Sequence, residues 1–112
     1  MKMYPNDATT ALLRGLRTSF GDEVDVHFEE IRSRTWASAT FTGARHEVTL
    51  RLTGESAPDS AARFTATLGE REFGLRGHVV ADIALISCEA TRNSNGQTAM
   101  RLKLEALTVE DC

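Results

Sequence analysis

Residues 77–90, Gly-His-Val-Val-Ala-Asp-Ile-Ala-Leu-Ile-Ser-Cys-Glu-Ala, are the longest apolar run in the chain, and any fold has to find cover for them. Apolar side chains fall at both parities of the run, the pattern of a strand buried on both faces. The alternating segment Thr98–Val109 follows through Asn95–Gly96, a pair suited to a tight hairpin turn. Together the two segments predict a long C-terminal hairpin on which the earlier elements pack. Within its aliphatic stretch, residues 79–86, Asp82 is the one charged residue.

The helices are marked by a different period. After Asn6 and Asp7, both good N-caps, Leu12, Leu13, Leu16 and Phe20 share a helical stripe, and Gly21 is placed to close the helix. From Glu23 the period becomes two: Val24, Val26 and Phe28 share one face while Asp25, His27 and Glu29 share the other. Ile31 has the wrong parity, which a β-bulge near Glu29 and Glu30 corrects. Thr35–Thr42 reads as a second strand, Gly43–Ala44 as a type II′ turn, and Glu47–Thr53 as a third strand with Val48, Leu50 and Leu52 inward. Ser56 to Asp59 resembles a capping box with proline in the first turn, opening a helix through Ala57, Ala61, Phe64 and Leu68 that stops at Gly69. In the last strand Leu107 and Val109 switch parity, predicting another bulge near Ala106.

The expected fold is therefore α+β in the order α-β-β-β-α-β-β. It has a mostly antiparallel, curved five-stranded sheet with two helices packed on one face. At 112 residues the chain suits one domain, residues 1–112, with residues 1–5 and 110–112 as frayed termini.

Charge narrows the functional classes. A net charge of −3 with both signs interleaved provides no field to attract a polyanion, so nucleic-acid binding is not expected. Eleven arginines to two lysines suit carboxylate or phosphate recognition, although they are scattered over every element. Met1–Pro5 lacks an apolar leader core, and no run approaches the ~20 apolar residues of a membrane span. Cys88 and Cys112 read as free thiols, Cys88 buried and inert, in a reducing cytoplasm.

Four residues are candidates for a ligand site: Asp82, Arg101, Trp36 and His78. Asp82 amid aliphatics is ion-paired, with Arg101 and Lys103 as natural partners, merely exposed on a partly wet face, or directed at a ligand with a raised pKa. His78 lies four residues away on the same predicted face but about 13 Å along the strand, too far for a direct dyad. Trp36, beside Arg32 and Arg34, suits core packing against a helix, stacking on a base or a ring, or anchoring a partner protein. His27 with Glu29 and Glu30, and His46 with Glu47, are weak metal-ligand groupings, so no metal or cofactor is assigned. Phosphate loops, Cys-x-x-Cys pairs, Gly-x-Ser-x-Gly elbows and His-Glu-x-x-His motifs are absent.

Two functional expectations result. The first is a non-enzymatic domain acting by association, as a homodimer in which the sheet's outer face or an edge strand pairs with its copy and the second face of residues 77–90 is covered. The alternative is a small-molecule-binding or minimal catalytic domain with a pocket on the concave sheet face around Asp82.

Overall fold

Alternation in four segments and a helical period in two produce the order α1 (Ala8–Phe20), β1 (Asp25–Ala37), β2 (Thr42–Thr53), α2 (Ala57–Thr67), β3 (His78–Arg92) and β4 (Thr98–Glu110) in a computed structural model. A 3-10 turn over Leu68–Glu70 extends α2. The structure describes residues 8–70, 73, 75, 77–92 and 94–110. The caps expected at Asn6 and Asp7, residues 1–5 and residues 111–112 lie outside these, while Glu110, expected in the frayed end, is the last residue of β4.

The sheet is antiparallel and four-stranded, in the order β1-β2-β4-β3, where five strands in a different element order were expected. The discrepancy lies in the segment 25–42. Two expected strands are one, β1, and the turn falls at Ser38–Phe41, where the Ser38 hydroxyl accepts from the amides of Thr40 and Phe41. Gly43 is not a turn residue: it sits inside β2 directly opposite Trp36, and its φ is not positive, as the expected turn requires. The indole lies over the glycine, which has no side chain of its own to present there.

Residues directly opposite on neighbouring strands share a face, so the register fixes two sides of the sheet. Val48 with Leu104 and Leu50 with Leu102 face the helices. There they join Leu12, Leu16 and Phe20 of α1 and Ala57, Ala61 and Phe64 of α2 in one buried cluster. Phe20 and Phe64 stack with ring centroids 4.6 Å apart. Both helices thus pack on one face, as their stripes predict.

The long apolar run is an edge strand, not the centre of the sheet. Two register shifts resolve its mixed parity, one between Val80 and Asp82 and one between Leu85 and Ser87. Each inserts one residue, which flips the face of all that follows. Val80, Ile83 and Leu85 thereby all pack toward the core. Val79 and Ile86 remain outside, each 50% exposed. The bulge near Ala106 does not form, because β4 runs in unbroken register against β2 and the irregularity lies in its partner β3.

The bulge expected in β1 is present between Phe28 and Glu30, and it places Ile31 opposite Val48 on the helix side. Ser56 is the N-cap of α2 but its side chain makes no capping hydrogen bond, so the capping box is not formed. α2 ends at Thr67 with Leu68 as its C-cap, so Gly69 stands just past the helix end as expected, but it continues into the 3-10 turn without a positive φ.

Candidate functional site

The face away from the helices is a grid whose rows cross all four strands in the order β1, β2, β4, β3. One row reads Arg34, Arg45, Leu107, Asp82, and the adjacent row reads Arg32, Glu47, Glu105, Ala84. These two rows line a cavity of about 620 Å³. Its β1 and β2 side carries Arg32, Arg34 and Arg45 with the single carboxylate Glu47, while its β4 and β3 side carries Glu105 and Asp82 and no basic residue. Arg32 is held by Glu30, with Nη2 2.8 Å from Oε2. Among the described residues, no salt bridge engages Arg34, Arg45, Glu47, Glu105 or Asp82.

Three rows from the arginine-aspartate row, Arg51 and Arg101 stand directly opposite one another. Glu29, the extra residue of the β1 bulge, bridges them: Arg101 Nε donates to Oε1 at 2.7 Å and Arg51 Nη1 to Oε2 at 3.2 Å. The Arg101 hydrogen bond, followed by the positive charges of Arg101 and Arg51, holds the Glu29 carboxyl below the usual carboxylate range against the opposing effect of burial.

The four sequence candidates are not brought together. Asp82 is exposed and lines the cavity, opposite Leu107. Its expected partners lie elsewhere: Arg101 is engaged by Glu29 and Lys103 stands opposite Ser87. His78 pairs with Glu110 at the start of β3, and the bulge after Val80 puts it on the opposite face from Asp82. Trp36 is half-buried on the outer face over Gly43 and not against a helix, and its Nε1 has no hydrogen-bond partner among the described residues. Cys88 is exposed, not buried, although partial burial of its thiol raises its pKa.

Of the suggested metal groupings, Glu29 is occupied by arginines, and the buried His46 belongs to a chain of hydrogen bonds that runs inward from the exposed Ser33 on the helix side. Thr9 donates to Ser33 Oγ at 2.9 Å, Ser33 Oγ lies 2.7 Å from His46 Nδ1, and His46 Nε2 lies 2.9 Å from Thr108 Oγ1. Thr108 donates in turn to the Ala44 carbonyl at 3.4 Å. With that direction at Thr108, Nε2 carries the proton and Nδ1 accepts from Ser33. His46 is thus a structural tie between β1, β2 and β4. The pair the sequence reading passed over is Arg34 and Arg45. Their shared row follows from alternation once the hairpin loop is set at residues 38–41, and the misplaced turn at Gly43 concealed it.

No family model matches the chain, and no curated protein matches it. Among solved structures, a chain from "Virion of native gene transfer agent (GTA) particle" is similar, with a TM-score of 0.62 and 13% identity over 93% of this chain and 95% of that one. The likeness runs essentially end to end in both chains and shows a common fold. No helix among the described residues is long and apolar enough to cross a membrane.

Proposed function

We propose that the chain acts by association, as a subunit of a multi-chain assembly, in the cytoplasm and without catalysis. The observation that carries this reading is the outer sheet face: both helices pack on the other side, and this one presents unpaired charges of both signs. A surface of that kind is complementary to a partner of the same mixed pattern, a second copy included. The end-to-end likeness to a chain of a virion, itself a many-subunit particle, supports the reading. Sedimentation velocity at micromolar concentration tests it: association that weakens as salt rises from about 50 to 500 mM is the expected result. A monomer throughout that range overturns it.

A second reading rests on the cavity, whose size lies within the ordinary range of small-molecule sites. Here Asp82 holds a polar group of a ligand on the concave face. A thermal-shift screen of metabolites should yield at least one stabilising compound whose effect disappears in Asp82→Ala.

A further inference from the structure

The outer face carries two cross-strand arginine pairs, and only one of them has its counter-ion. Arg51 and Arg101 share the Glu29 carboxylate, whose two oxygens take three guanidinium contacts between 2.7 and 3.2 Å. Arg34 and Arg45 also stand directly opposite one another, and no carboxylate among the described residues pairs with either. Like charges opposed in this way repel, and a planar carboxylate is the group that two guanidinium forks bind best. Both arginines line the cavity.

We infer that Arg34 and Arg45 are the receptor for one carboxylate group of a zwitterionic ligand whose cationic end lies toward Asp82 and Glu105. This rests on the reading of the cavity as a ligand pocket and adds the chemical class of its occupant. Asp82 ends the row that Arg34 and Arg45 begin, and Glu47 and Glu105 stand in the next one. These three carboxylates repel a dianion such as phosphate or a dicarboxylate, and they favour a ligand that returns a positive charge. Arg45 and Asp82 are two strand spacings apart, about 10 Å between backbones, so the two charges are separated by a short spacer. The bridge in the other pair shows the expected geometry, a carboxylate lying between the two guanidinium groups.

Calorimetric titration of the full chain with 6-aminohexanoate, hexanoate and hexylamine tests the assignment. The zwitterion should bind at least about tenfold more tightly than either single-charge probe, the scale of one charge-assisted hydrogen bond. Arg34→Gln and Arg45→Gln should each weaken 6-aminohexanoate about tenfold and leave hexylamine unchanged, and Asp82→Asn should do the reverse for the two single-charge probes. All three positions are exposed, and an unchanged melting temperature verifies that each variant folds. Should the carboxylate and the cation be side chains of a second copy, the affinity for the probe falls as protein concentration rises. With a free small molecule as the occupant, it stays constant. Equal binding of all three probes overturns the arginine assignment and leaves a pocket standing, whereas no binding by any probe removes both.

Discussion

Gly43→Ala is the substitution on which the corrected register depends most directly. A Cβ at position 43 lies inside the van der Waals envelope of the Thr108 carbonyl and 3.0 Å from Trp36 Nε1. The indole can move, but the carbonyl belongs to β4, which is tied into an unbroken ladder against β2. Relief therefore requires parting two central strands, and the penalty belongs at the top of the usual overpacking range, about 3 kcal/mol. With unfolding entropy near 2.1 cal/mol/K per residue, a chain of 112 residues loses about 13 °C of melting temperature for that amount. Gly69→Ala is the control, since a Cβ there meets nothing within 4 Å and the φ is not positive. Differential scanning calorimetry of the two variants and of Gly43→Ala/Trp36→Ala decides the matter. If Gly43→Ala melts within about 2 °C of Gly69→Ala, the close approach of β2 and β4 at this point is wrong. Full recovery in the double variant would place the conflict in the indole alone.

Two further outcomes follow from the polar ties. The Glu29 carboxyl is held below its ordinary pKa in the folded chain, so its contribution to stability is complete above the unfolded value, about 4.3, and is lost as pH falls through the lower folded value. Because Arg51 and Arg101 are 38% and 40% exposed in their side chains, screening limits the effect to about 1 kcal/mol; Glu29→Gln should remove that part of the acid dependence in urea melts, and an unchanged acid limb refutes the bridge. His46→Leu should cost about 1–3 kcal/mol by leaving Ser33 and Thr108 without their partner, and His46→Leu/Thr108→Val should recover part of it, as a double-mutant cycle in urea would record.

The parts of the fold that depend on local period were legible in the sequence. Leu12, Leu16 and Phe20 announce α1 at the 3.6-residue spacing, and Val48, Leu50 and Leu52 announce the buried face of β2 at the two-residue spacing. The bulge in β1 was legible as well, because Phe28 and Ile31 cannot share a face without one. What was not legible depends on partners distant in sequence. Gly43 with Ala44 reads as a turn and is instead strand, paired with Trp36 in β1 and with Val109, distant in sequence, in β4. The apolar run at 77–90 reads as doubly buried because alternation is assumed to be unbroken. Two inserted residues, Ala81 and Ile86, make the same string a one-sided edge strand. The candidate site suffered from the same error, since His78 and Asp82 share a face only in a strand without a bulge.

That correction changes the physical basis of any association. A sheet with a second apolar face would be driven to pair by burial of nonpolar area, largely independent of salt. The outer face here is mostly charged, and the large apolar side chains left exposed, Ile31, Phe41, Val79 and Ile86, are scattered over β1, a hairpin loop and two separate points of β3. On the outer face itself Val79 ends a row with Trp36, Gly43 and Val109, next to Leu107, so its apolar area is one corner of a face whose other rows carry charges. Charge complementarity is what the face has to offer, in the row that begins with Arg34 and ends with Asp82. Trp36, half-buried in the next row, is the one large aromatic side chain placed to anchor a partner beside it. Both β1 and β3 are sheet edges, and the bulges in each interrupt the ladder a further strand would need. Growth by strand addition is therefore discouraged on both sides, which leaves the charged face as the surface that the proposed association would use.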